Sequence, residues 1–138
     1  MEPIPEARVL ALAGLLQAVQ FVLMSVPVNR ELGLGKTMSP RDPQRLGKPL
    51  LEQVSPVAGR LVRAFNNHFE GLILFTLAVV ALAMTGQASG FTLACAWTYL
   101  AARVLYVPAY VLGLVPWRSL LWGVGWLATV AMMLAAAL

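Results

Sequence analysis

Four apolar segments, near residues 9–28, 57–84, 91–112 and 120–138, take up almost the whole chain. Each reaches the roughly 18–20 residues that a helix needs to cross about 30 Å of hydrocarbon. With 59% apolar and 12% charged residues, the composition is that of a membrane protein rather than a soluble globule. The pattern predicts an all-α membrane protein, a four-transmembrane-helix bundle forming a single domain over residues 1–138. Only the stretch from about 29 to 56 is left outside the bilayer.

The start, Met1-Glu2-Pro3-Ile4-Pro5-Glu6, lacks the basic region of a secretory signal, so the first segment is expected to be a retained span. Cys95 is the only cysteine. An intrachain disulfide is therefore impossible, no zinc ligand set is expected, and packing is the expected role of its thiol.

The basic excess does not point to nucleic acid, because of where it lies. Arg30, Lys36, Arg41, Arg45, Lys48, Arg60, Arg63 and Arg118 all fall on one side of a four-span topology. The other side carries Arg8 and an uncharged turn, Thr85 to Gly90. The positive-inside rule then puts both termini outside (periplasmic), with the 29–56 loop and the 113–119 turn in the cytoplasm. The loop is dense in glycine and proline and is expected to be irregular, its cations facing lipid headgroups or folding over a pocket. Pro27 is expected to break the first span near the membrane surface.

The second span carries polar side chains into its apolar run. At about 100° per residue, Arg60, Arg63, Asn67, Glu70 and Leu74 share one stripe. An ionisable group at membrane depth costs about 2.5–3.5 kcal/mol on insertion scales, so it faces a partner or a wet cavity. Either a structural ion pair or a polar ligand site follows, and the two are compatible. In the third span Tyr99, Arg103, Tyr106 and Tyr110 form a second stripe. Counted from the loop side, Arg103 and Glu70 lie at similar depth, which predicts an ion pair between them.

Gln17 and Gln20 are three apart in the first span, and an interhelical hydrogen bond is their expected role. His68 lies about 100° off the Glu70 stripe, which suits packing better than base chemistry. Gly123 and Gly125 of the last span are expected to allow close helix approach. Arg118 opens that span on a face with Trp122, Gly125 and Thr129, so it can lean over the bundle mouth or merely anchor the helix at the headgroups. No phosphate-cradling loop, metal-ligand cluster or nucleophile–histidine pair is evident.

Arg60, Arg63, Ala64, Asn67 and Glu70, in the spacing R-x-x-R-A-x-x-N-x-x-E, resemble a second-helix motif of the MAPEG family, the membrane-associated proteins in eicosanoid and glutathione metabolism. The run Ala102 to Tyr110 and the turn Pro116-Trp117-Arg118-Ser119 are similar to that family's third helix and following turn. The layout looks closest to bacterial members. The resemblance implies a homotrimer with glutathione, as co-substrate, between protomers near the cytoplasmic face. It implies substrate contacts from Arg63, Asn67, Glu70, Tyr106 and Tyr110, and from Arg30 or Arg41 in addition. Arg118 would be the catalytic residue that stabilises the thiolate, and Arg103 the structural partner of Glu70.

Two positions depart from one enzyme of the family, Asn66 standing in place of an arginine and Trp122 in place of a tyrosine. The activity implied is a glutathione-dependent transferase or peroxidase acting on a hydrophobic small molecule from the membrane lipids. The alternatives are a non-catalytic lipid- or metabolite-binding protein of the same fold and a small transporter; apolar outer halves of the spans disfavour the last.

Overall fold

The computed structural model describes residues 2–138. Its long helices are α1 (Glu6–Leu32), α5 (Pro56–Thr85), α6 (Gly90–Val111) and α7 (Trp117–Ala137). All four are long and apolar enough to cross a membrane, which makes this a multi-pass membrane protein. Between α1 and α5 the loop folds as three single turns, α2 (Leu34–Thr37), α3 (Pro43–Leu46) and α4 (Leu50–Gln53). It is thus less irregular than its composition predicts. Pro43 opens α3, Pro49 precedes α4, and Gly33 and Gly47, both at positive φ, flank α2 and α3.

Helix limits follow from local chemistry. The Ser55 hydroxyl accepts from the Ala58 amide at 3.2 Å, and Pro56, which has no amide to satisfy, takes the first position of α5. Ser89 and Thr92 form a reciprocal capping box at the start of α6. Gly86, at φ +69°, ends α5 in the left-handed conformation that only glycine adopts cheaply. Pro27 does not break α1 as expected. It removes one backbone bond, but helix continues on both sides and runs to Leu32, where Gly33 at φ +82° stops it.

The central helix is α5, which packs against α1, α6 and α7, while α6 and α7 lie side by side. The apolar core gathers Val9 and Ala13 of α1, Phe75 to Leu82 of α5, Ala96 to Leu100 of α6, and Ala128 and Met132 of α7. With the chain direction alternating, all of these fall in the half of the bundle away from the loop. Alanines in that core let the helices approach closely. Gly125 has a similar role, since a Cβ there would meet Tyr99 and Arg103 at 3.6 and 3.7 Å. Gly123, also expected at a helix contact, faces open space in the protomer.

Leu15, Val19, Val22, Leu77 and Leu127 are exposed and turn an apolar surface outward, as lipid requires. His68 is buried as a packing residue, its Nε2 3.0 Å from the Ala13 carbonyl. Gln17 donates to the Phe65 carbonyl at 3.4 Å, the interhelical bond anticipated for it. Gln20 is buried too, and both its polar atoms lack partners. At the far end Glu6 is fully buried and accepts a hydrogen bond from the Thr92 hydroxyl, tying the start of α1 to the start of α6.

Candidate functional site

In the loop-side half of the bundle α5, α6 and α7 carry four arginines, Arg60, Arg63, Arg103 and Arg118, and one carboxylate, Glu70. The guanidinium groups meet carbonyls, an amide and tyrosine side chains, and Arg103 Nε is left without a partner. Arg60 Nη1 donates to the Val111 carbonyl at 3.1 Å and lies against Gly113, capping the end of α6. Arg63 Nε donates to the Tyr110 hydroxyl at 3.1 Å. The Arg118 guanidinium lies over the Tyr110 ring, 5.0 Å from its centroid. Tyr106 stands next along α6, its ring 5.6 Å from that of Tyr110.

Deeper in the bundle Arg103 is 3% exposed and lies between the rings of Tyr99 and Tyr106, at 5.9 and 5.2 Å. Its Nη1 donates to Asn67 Oδ1 at 2.9 Å and its Nη2 to the Asn67 carbonyl at 2.6 Å. Space for this approach is left by Gly71, where a Cβ would overlap Nη2 and stand 3.1 Å from Cζ. The hydrogen bonds of Arg103 therefore go to Asn67 rather than to the expected partner, Glu70. Glu70, one turn beyond Asn67, is exposed on the protomer surface and lines the same cleft as Arg103.

Two concavities adjoin in this half. A polar pocket of about 160 Å³ is lined by Asn67, Tyr106, Arg118, Ser119 and Trp122. A second cleft, also about 160 Å³, is lined by α5, α6 and α7, with Glu70 and Leu74, Tyr99 and Arg103, and Trp122 and Trp126 among its residues. Asn67 and Trp122 belong to both.

Of the residues singled out from sequence, Asn67, Tyr106 and Arg118 meet in the polar pocket, and Tyr110 joins Arg63 to Arg118 beside it. Arg30 does not line either concavity; it is exposed on the last turn of α1. Arg41, its competitor in the loop, donates from Nε and Nη2 to the Thr37 carbonyl at 3.2 and 3.0 Å. Sequence reasoning missed Gly71, Ser119 and Trp126. A signal for Trp126 did exist, because it follows Trp122 by four residues on the face that begins at Arg118. Among the described residues no cluster of histidine, cysteine and carboxylate groups that would hold a metal occurs.

A four-helix transmembrane bundle with an arginine- and tyrosine-lined recess in one half defines the class of protein. The MAPEG family model matches residues 9–138, nearly the whole chain, and the protein belongs to that family. No curated protein and no solved structure matches it significantly.

Proposed function

We propose that the protein is a membrane-embedded glutathione-dependent transferase or peroxidase that acts, as a homotrimer, on a hydrophobic electrophile. The observation that carries this reading is the polar pocket itself. Arg118, Tyr106, Asn67 and Ser119 line it, Arg63 and Tyr110 adjoin it, and no carboxylate is among its lining residues. Such a set suits an anion with carboxylates and a thiol: arginine forks take the carboxylates, and asparagine and tyrosine take the peptide groups.

Thiolate, not thiol, is the nucleophile, and a free cysteine thiol titrates near about 8.5. Arg118 is charged at every relevant pH and sits at the first turn of α7, where helix amides add positive potential. It is the group expected to hold the sulfur as thiolate. Tyr106 and Tyr110, by hydrogen bonding to the sulfur, are the next candidates. The positive-inside distribution supports a site near the cytoplasmic face and both termini on the periplasmic side.

The trimer has two supports besides family membership. At about 160 Å³ the pocket is smaller than the roughly 300–1,000 Å³ of sites that enclose ligands of such size, so one protomer supplies only part of the enclosure. In addition, Arg63, Asn66 and Glu70 are exposed on α5, and polar groups at membrane depth need cover that lipid does not provide. The electrophile would enter from the bilayer along α7.

A non-catalytic binding protein is the second reading, favoured by Asn66 and Trp122 standing where one enzyme of the family has an arginine and a tyrosine as potential ligand contacts. Calorimetric titration of the detergent-purified protein with glutathione and with its S-alkyl analogue tests the proposal. Heat of binding for both, with turnover of standard electrophiles, is the expected result. Binding without turnover selects the second reading, and no binding of either compound contradicts both glutathione readings.

A further inference from the structure

We infer that the loop between α1 and α5 is an interfacial platform for anionic phospholipid of the leaflet it borders. Leu34 and Met38 enter the boundary between headgroups and acyl chains, and Lys36, Arg45 and Lys48 supply the attraction for lipid phosphates. From sequence alone two places are open to these cations, over a pocket or at the headgroups. No residue of the loop lines the polar pocket or the adjoining cleft. Its turns pack instead on the long helices beside them, α2 on α1 and α4 on α5. The inference does not rest on the glutathione reading.

Side-chain ties hold the loop at the level of the helix ends. Glu31 accepts from the amide and the hydroxyl of Ser55, joining α1 to α5. The Thr37 hydroxyl donates to Asn29 Oδ1, which turns α2 back onto α1. Lys36 Nζ donates to Gln53 Oε1 at 3.1 Å, and Gln53 Nε2 donates to the Leu46 and Lys48 carbonyls at 3.1 and 2.6 Å. One amide thus gathers α2, the end of α3 and α4. With 27 and 30 residues, α1 and α5 are about 40 and 45 Å long, the thickness of a bilayer with its headgroups. A loop drawn down onto their ends lies among headgroups.

What the loop presents there suits a charged lipid surface. Leu34 is 61% and Met38 81% exposed. They are four residues apart, the Met38 amide donating to the Leu34 carbonyl at 2.9 Å, so both leave one side of the α2 turn. Lys36 leaves from the other side, toward Gln53. Arg45 and Lys48 are exposed, and Arg41 gives only Nε and Nη2 to the Thr37 carbonyl. Of the loop's acids Glu31 is occupied by Ser55, which leaves Asp42 and Glu52 against a larger set of cations. An apolar pair in a basic segment is how a short interfacial element holds to anionic lipid: the apolar groups bind any leaflet, and the cations add charge selectivity.

The test uses the full chain in lipid nanodiscs, with Cys95→Ala and with Met38→Cys carrying an environment-sensitive nitrobenzoxadiazole label. Phosphatidylglycerol is titrated into phosphatidylcholine at constant ionic strength. A saturable blue shift of the label, with loss of quenching by neutral acrylamide, is expected as phosphatidylglycerol rises. Lys48→Gln should need about three- to fivefold more phosphatidylglycerol for the same shift, and Arg45→Gln with Lys48→Gln more again. Leu34→Ser should weaken the shift at every composition, whereas Arg8→Gln, at the opposite end of α1, should leave the titration unchanged. A label shielded to the same extent in phosphatidylcholine alone means that another protomer covers the loop, and overturns the inference. So does a label that stays in water at every composition. A shift produced by inorganic phosphate over phosphatidylcholine nanodiscs would make the loop a site for free anions and overturns it too. Glutathione calorimetry on the same protein reads the proposed function separately, because neither Arg45 nor Lys48 lines its pocket.

Discussion

Arg103 of α6 is held by Asn67 of α5 through two hydrogen bonds, at 2.9 Å to the side-chain oxygen and 2.6 Å to the backbone carbonyl. Both terminal nitrogens of a buried cation are thereby bonded to neutral oxygens, while Nε has no partner and the Glu70 carboxylate is exposed on the protomer surface. The contact exists because residue 71 is glycine. Gly71→Ala adds a methyl where Nη2 now lies, so it should push Arg103 off Asn67 and lower stability by about 1–3 kcal/mol. The same substitution in an Arg103→Met background should cost much less. A thermal-shift cycle in detergent measures this, and equal losses in the two backgrounds would show that the glycine is not there for the arginine.

Glu70 is exposed at membrane depth, and two further polar residues of α5, Arg63 and Asn66, are exposed with it. Burial against further copies is the way to relieve that cost. Native mass spectrometry in mild detergent should show trimers, and Glu70→Leu should shift the distribution away from the wild-type ratio. A spectrum of monomers and dimers alone would contradict closed trimeric assembly.

Outside the membrane, Glu31 accepts from the Ser55 amide at 2.7 Å and from the Ser55 hydroxyl at 2.6 Å, fastening the end of α1 to the start of α5. The hydroxyl bond first, and then the amide bond, hold the Glu31 carboxyl below its ordinary value of 4.5. Because the folded value is the lower one, the contribution is complete above about 4.5 and is lost as pH falls through the depressed folded value. Hydrogen exchange at the Ser55 amide should therefore be slow and independent of this group at neutral pH, and lose protection in acid. In Glu31→Gln that acid-linked loss should disappear.

Topology has its own check. In a Cys95→Ala background, a cysteine at Gln87 should react with an impermeant reagent on intact cells, and one at Lys48 should not. Both positions are exposed, so accessibility within the fold does not bias the comparison. The reverse pattern would invert the protein and move the site to the other face.

Much of the fold is legible in the sequence because lipid imposes a length and a polarity that the chain must display. The limits of α5, set by Ser55 and Pro56, and of α7, beginning at Trp117, fall within a few residues of the apolar runs. Helical stripe spacing likewise directs Asn67, Tyr106 and Arg118 toward the loop-side end, where they line one pocket. What stays hidden depends on contacts between helices. Depth alone pairs Arg103 with Glu70, but rotation of α5 and the gap at Gly71 turn the guanidinium to Asn67 instead. Glu6 has the sequence position of a solvated end residue, and only the approach of α1 to the α6 cap buries it. Pro27 and the loop prolines mark the same limit, since a proline says where a bond is missing and not whether the helix stops there.

The central claim is that this site holds glutathione as a thiolate beside Arg118. Each unit by which the thiol is depressed requires about 1.4 kcal/mol of preferential stabilisation of the anion, and a permanent cation at the first turn of a helix is the strongest source in the pocket. The direct measurement is ultraviolet thiolate absorbance of glutathione bound to the purified protein, titrated with pH, in the wild type and in Arg118→Ala. Thiolate absorbance at neutral pH in the wild type, lost in Arg118→Ala while most of the binding heat remains, is the predicted result. Superimposable titrations of the two proteins would contradict it and take Arg118 out of the mechanism.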